Sequence, residues 1–339
     1  MRGFPAFSSV AAAGLSLTVL FMHPIVCGGL QDCDGFSRDA ALAAQDVVPL
    51  EVNRDQLVHM AVLGQIRPPT LADPPYRIAP DGTVLSLPGT SSITYSHRVG
   101  DSAVDMAGDH VEPAVSITTS PAAEQRGLNV YSQIGNRARV VSGDARGAEG
   151  VVIGKHGGIE NVMVEFPDEV YDQLVIGDRI QIRAVGLGME ARNVRGVAIR
   201  NMSPDLLDAL NARGMGVDSD GTLRVPVTHE IPAKIMGSGL GRNHVHAGDY
   251  DIQMFDPGVV DRYNLDELRF GDIVAIRDAD NTHGRIYLEG AVTIGVVVHG
   301  ISRVAGHGPG VTTLLTSARG NIAPFHDAGA NLAPLLGLR

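Results

Sequence analysis

Arg139-Val-Val-Ser-Gly-Asp-Ala-Arg-Gly-Ala-Glu-Gly-Val-Val-Ile-Gly154 is followed by Val162-Met-Val-Glu-Phe166 and by Ile176-Gly-Asp-Arg-Ile-Gln-Ile-Arg183. Runs of β-branched residues broken by glycine-containing turns predict strand, glycine turn and strand, then a third and a fourth strand. Four short strands at this spacing suit a small closed barrel. An internal echo extends the reading. Tyr171-Asp-Gln-Leu-Val-Ile-Gly-Asp-Arg-Ile-Gln-Ile-Arg183 recurs as Leu265-Asp-Glu-Leu-Arg-Phe-Gly-Asp-Ile-Val-Ala-Ile-Arg277, with Gly-Asp turning into an alternating strand both times. The predicted fold is mainly β: two small barrel-like (SH3/OB-like) domains with a few short helices.

Upstream, residues 50–68 start like a helix, with Asn53 or Asp55 as cap and Leu57, Met60, Ala61 and Leu63 as a rough apolar stripe, until Gly64 and Pro68 end it. The proline-rich stretch 69–81 reads as a connector, and short alternating segments follow up to Thr118. Ser203-Pro-Asp-Leu-Leu-Asp-Ala-Leu-Asn-Ala-Arg-Gly214 reads as a short amphipathic helix, capped by Ser203, with Pro204 in its first turn and Gly214 as its stop. Ile273–Arg277 and Val292–His299 are near-continuous apolar runs expected to cross a core. These signals divide the chain into a leader (1–45), an N-terminal β domain (46–220), a C-terminal β domain (221–320) and a loose tail (321–339).

Composition narrows the function. A net charge of −11 disfavours a nucleic-acid partner, which needs a positive field. The only cysteines, Cys27 and Cys33, lie in the leader, so no thiolate serves the body as nucleophile or ligand. The apolar run Val10–Met22 fits the h-region of a secretory signal, and a start codon assigned too far upstream would leave a similar leader. The protein is exported if residues 1–28 are a signal, and otherwise expected in the cytoplasm. No other stretch is long enough for a membrane span. Of 27 basic residues only Lys155 and Lys234 are lysines, the one basic type able to present a neutral amine here. The apolar runs are also compatible with a homo-oligomer.

Two likenesses bear on the barrel and the whole chain. The 139–154 stretch resembles the KOW segment of ribosomal and transcription proteins, whose SH3-like barrel often contacts RNA. Here Asp144, Glu149, Glu160 and Glu165 outweigh Arg146 and Lys155, so the likeness implies barrel geometry and not RNA binding. Further strings recur in order: Leu87-Pro-Gly-Thr, Ile93-Thr-Tyr, Gly108-Asp-His-Val-Glu-Pro, Lys155-His-Gly-Gly-Ile-Glu, Val227-Thr-His-Glu-Ile-Pro-Ala, Ile235-Met-Gly-Ser-Gly-Leu-Gly-Arg, Gly248-Asp-Tyr-Asp-Ile-Gln, Phe270-Gly-Asp-Ile-Val-Ala-Ile and Gly306-His-Gly-Pro-Gly. Over residues 53–320 the chain resembles the uncharacterised "domain of unknown function 4438" family, a resemblance that implies no reaction. A fainter likeness, carried by Gly248-Asp-Tyr-Asp-Ile-Gln-Met and Gly306-His-Gly-Pro-Gly, is to the acetamidase/formamidase family and implies hydrolysis of an amide-type C–N bond.

The candidate chemistry centres on Ile235–Asp256, which packs glycines, histidines and aspartates together. If extended, His244-Val-His246 puts two imidazoles on one face, and with Asp249 and Asp251 could give a divalent metal three or four ligands. His244, His246, Asp249 and His307 are the candidate catalytic groups. Ser238, Gly239, Gly241 and Arg242, with Lys155, His156 and Gly308, are the candidate ligand-binding set: glycine-loop amides for a carboxylate and Arg242 as its bidentate partner. Ser238 lacks the strand–elbow–helix context of a hydrolase nucleophile. Asp109-His110 with Glu112 reads as a turn or a site, His229-Glu230 as an exposed acid beside a packed ring, and His299 as a satisfied strand-end histidine. The expected site lies where 235–256 meets 154–160 and 305–310. A small-molecule hydrolase using His, Asp and optionally a metal is the first expectation; a non-catalytic ligand-binding or assembly protein is the alternative.

Overall fold

A computed structural model describes residues 47–71, 74–90 and 92–338. The leader and both cysteines lie outside the described residues. Six strands close a barrel: β1 (Met60–Ile66), β2 (Val115–Thr118), β3 (Arg137–Val140), β4 (Glu149–His156), β5 (Asn161–Glu165) and β6 (Arg179–Ala184), in the order β1-β2-β5-β4-β3-β6 with β6 returning to β1. Every pairing is antiparallel. Alternation places the core: in β6, Ile180, Ile182 and Ala184 point inward while Arg179, Gln181 and Arg183 face solvent.

The helix expected at 50–68 is corrected. Only Arg54–Gln56 makes a helical turn, and Met60–Ile66 is strand β1, paired residue for residue with β6 from Met60↔Ala184 to Gln65↔Arg179. Tertiary pairing overrides a weak helical pattern, because a barrel that lacked β1 would leave the β2 and β6 edges open.

The second half forms a mixed six-stranded sheet. After β7 (Leu223–Val227) come β8 (His229–Pro232), β9 (Tyr250–Asp251), β10 (Ile273–Asp280), β11 (Ile286–His299) and β12 (Gly310–Ser317), in the order β8-β10-β11-β12-β9, with Ala198–Ile199 pairing on β12. The two echo segments have the same geometry. A 3-10 turn leads to Gly177 or Gly271, both at positive φ, and the next aspartate accepts from an amide three residues back: Val175 to Asp178, 3.1 Å, and Arg269 to Asp272, 2.9 Å. Pro204–Ala212 is a helix whose cap, Ser203, accepts from Leu206 N at 3.1 Å. The tail from 321 on, expected to be loose, is corrected for its described residues. Ile322–His326 (β13) runs parallel to β7, and Leu332–Leu336 is a short helix with Leu332 and Ala333 buried. Its anchors are the Arg213–Asp327 ion pair and Asn331, which donates to Asp272.

One continuous core runs through the barrel and the sheet, joining barrel residues such as Val152, Met163 and Ile182 to Ile273, Ile294 and Val298. Each fully buried aliphatic side chain there stabilises by roughly 1.5–3 kcal/mol. Barrel and sheet meet tightly at Gly154 of β4. A Cβ there would stand 2.8 Å from Val298 of β11 and 2.6 Å from Met163, so only glycine lets these strands touch. The crossing fixes the site, because two residues past Gly154 lies His156 and one past Val298 lies His299.

Candidate metal centre

His156 and His299, carried by the ends of β4 and β11, stack with ring centroids 4.1 Å apart and planes at 25°. Asp249 meets them because Gly248, at positive φ, packs directly on Gly157; a Cβ on Gly248 would lie 2.5 Å from the Gly157 Cα. Gly157 N donates to Asp249 Oδ1 at 2.5 Å. Ligand atoms of His156, Asp249 and His299 lie within 4.8 Å of one another, and all three residues are buried.

Each imidazole is oriented by a second partner. Glu112, fully buried, takes His156 Nδ1 at 2.6 Å, Asn161 Nδ2 at 2.9 and 2.8 Å on its two oxygens, and the Ser116 hydroxyl. Burial would raise the Glu112 pKa, but these donors hold it below the usual carboxylate range. His299 Nδ1 donates to Gly300 O at 3.0 Å. A proton held on Nδ1 leaves the Nε2 lone pair to face inward, the arrangement found behind metal-ligating histidines.

His299 Nε2 is only 2.7 Å from Asp249 Oδ2, in a geometry short of a well-formed hydrogen bond. A cation bound by these two ligand atoms and a proton on Nε2 would compete for the same place. Burial opposes charge on His299, but Asp249 and Asp251 outweigh it and raise its pKa well above the ordinary value.

A second group adjoins the first. His110 Nε2 lies 2.9 Å from His307 Nδ1 and 3.8 Å from Asp251 Oδ2, and His307 Nδ1 lies 3.1 Å from the same oxygen. Asp109 orients His110 through Nδ1 at 3.0 Å and is itself held by Ser302 Oγ and Arg303 N at 3.0 and 2.7 Å. Burial would raise the Asp109 pKa, but these bonds bring it down to about 2. His110 sits at φ 58, a conformation that costs a residue with a Cβ about 1–2 kcal/mol. Asp251 touches both groups: Oδ1 is 3.6 Å from His299 Nε2, while Oδ2 faces His307 and accepts from Gly308 N at 3.1 Å. Desolvation opposes its charge, but His299 and His307 hold its pKa below the usual range. His and carboxylate donors suit a borderline divalent transition ion.

Both groups border a cleft of about 480 Å³, a size suited to a small molecule. It brings together His156, Asp249, Asp251 and His307 with Ser238, Gly239, Arg242 and His244. The last two are exposed on its rim, and His244 belongs to neither ligand group. His244-Val-His246 does not run as a strand; Val245 is buried, and His246 borders a separate shallow hollow beside Arg200 and Asn201. Desolvation and the neighbouring cations Arg200 and Lys155 bring the His246 pKa down to about 4. Lys155 is fully buried, and its Nζ donates to Asn201 Oδ1 at 2.8 Å and His246 O at 2.9 Å. Loop amides are spent internally: Ser238 N on Gly306 O at 2.6 Å and Gly241 N on Arg285 O at 2.8 Å. His229 and Glu230 bond elsewhere, to Asn264 O and Arg277.

Residue patterns pointed to His156, Asp249, Asp251 and His307 directly. Asp109, His110 and Glu112 carried a signal in their own short string. A strand-end histidine is ambiguous until its partners are seen, so His299 could be found only in space. Arg285, buried and lining the cleft, had no sequence signal.

The N-terminal and C-terminal models of the domain of unknown function DUF4438 match residues 76–208 and 214–336. No functionally curated protein matches the chain. A solved structure, "Crystal structure of TM1086", is similar at 42% identity and a TM-score of 0.80, over 85% of this chain and 99% of that one. With both family models matched in sequence order over most of its length, the chain belongs to the DUF4438 family, whose function is unknown.

Proposed function

We propose that the protein is a metal-dependent hydrolase of a small molecule, acting on an amide-type C–N bond. The observation that carries the reading is the convergence of His110, His156, His299 and His307 with Asp249 and Asp251, brought together from five separated segments. In three of these histidines Nδ1 is engaged by Asp109, Glu112 or a backbone carbonyl, so Nε2 faces the centre. A core that needed only packing would not bury four carboxylates among four imidazoles, because each charge removed from water costs several kcal/mol unless paired. A divalent ion supplies Lewis acidity and a water made acidic at neutral pH. The chain's own part would be to bind the ion, orient the imidazoles and hold the site open to the cleft, where His307 is one-third exposed. The C–N specification rests on the acetamidase/formamidase likeness.

A ligand-binding protein without turnover would use the same cleft. The test is metal content together with ammonia release from a panel of small amides, for the protein as purified and after chelation. The reading expects bound metal and chelator-sensitive turnover. Metal below about 0.1 equivalent, with no turnover on re-addition, removes it; metal without turnover leaves the binding protein.

A further inference from the structure

We infer that the substrate carries an oxyanion, a carboxylate or a phosphate, and that the Arg285 guanidinium binds it. The inference rests on the metal reading above and names the substrate class of that same cleft. Arg285 is 2% exposed, lines the cleft, and has no carboxylate within ion-pairing distance among the described residues. Its Nε has no hydrogen-bond partner, and one terminal nitrogen reaches Ala247 O only at 3.4 Å. Tyr250 lies beneath it, 5.3 Å from ring centroid to guanidinium carbon. A buried guanidinium with most of its donors unused is costly, and the fork of N–H groups matches an oxyanion in two-point geometry.

Charge supports the same ligand. Asp109, Glu112, Asp249 and Asp251 give the centre four formal negative charges, which two divalent ions would neutralise. The fields of Asp249 and Asp251 reach Arg285. With those carboxylates neutralised, Arg285 would be left as net positive charge, with Arg77, Arg242 and Arg303 outnumbering Glu160 on the rest of the wall. An oxyanion held there places the rest of a small substrate against the histidines. In the glycine loop the Ser238 and Gly241 amides are already bonded within the protein.

The experiment is calorimetric titration of metal-loaded full-length protein with inorganic phosphate and, separately, with acetate, for wild type, Arg285→Gln and Arg285→Lys. Metal content is measured on each sample. Wild type is expected to bind at least one of the two, and which one tells a phosphoryl from a carboxyl substrate. Arg285→Gln is expected to weaken that binding by about 10-fold or more at unchanged metal content. Should Arg285→Gln not fold, Arg285→Lys carries the test, because it keeps the charge and loses the fork; weakened binding supports the inference. No binding by wild type, or equal binding by wild type and the folded variants, overturns it. Absence of metal from wild type is a separate result and removes the hydrolase reading.

Discussion

Gly310 offers a sharp test because it is not itself a ligand. It begins β12, and a Cβ built on it would lie 2.1 Å from Asp249 Oδ2 and 2.2 Å from His299 Nε2. Ordinary contact begins at 3.4 Å, so in Gly310→Ala the two ligand atoms must retreat by about 1.2–1.3 Å (3.4 less 2.2 and 2.1). Metal–ligand distances tolerate only about ±0.2 Å, so the displacement is several times what a site can absorb. The cost to folding is smaller. Overpacking one methyl in a dense core destabilises by about 1–3 kcal/mol, a shift of a few degrees in Tm for a chain of this size. The expected outcome is a folded protein whose metal affinity, measured by competition with a chromophoric chelator, falls by about 100-fold or more. Gly310→Ala binding metal with wild-type affinity would refute the placement of the cation between Asp249 and His299.

Other consequences follow from the partners of the ligands. Glu112→Gln replaces an acceptor that receives His156, Asn161 and Ser116 with a group that must present a donor to one of them; metal affinity should fall about 10–100-fold by the same competition assay. His244→Ala and His246→Ala should leave metal content unchanged, whereas His307→Ala should reduce it from two equivalents towards one, as read by elemental analysis. Lys155 gives a pH signature. Burial lowers its pKa to about 7 from 10.5, so between those values the unfolded chain binds the extra proton and wild-type stability rises with pH. The shift of 3.5 corresponds to about 5 kcal/mol as an upper order of magnitude. Lys155→Met should therefore be favoured relative to wild type below pH 7 and lose ground steadily towards pH 10 in denaturant titrations. A difference that does not change with pH would show that Lys155 is not buried as an amine.

The barrel was legible because its strands repeat a simple period. Arg179–Ala184 alternates residue by residue, and the Gly-Asp turns before it and before Ile273 follow from glycine reaching positive φ. The stretch at 60–66 misled because its apolar residues fit a helical stripe as well as a strand, and only the partner strand decides. The tail was misread for a related reason: Ile322–His326 is short, contains Pro324, and owes its order to β7 a hundred residues earlier. For the site, Asp249, Asp251 and His307 announced themselves through glycine-rich surroundings. His244 and His246 drew attention by their spacing, which matters only if the segment is a strand, and it is not. His299 and Arg285 look like ordinary residues of an apolar strand and a polar loop. Their roles arise from contacts across the chain, which no local pattern records.

The most direct measurement is anomalous diffraction from crystals grown with Mn²⁺ and collected with longer-wavelength X-rays. Two peaks are expected, one among His156, Asp249 and His299, the other among His110, His307 and Asp251. Density showing His299 hydrogen-bonded directly to Asp249, with no peak at either group, would contradict that expectation.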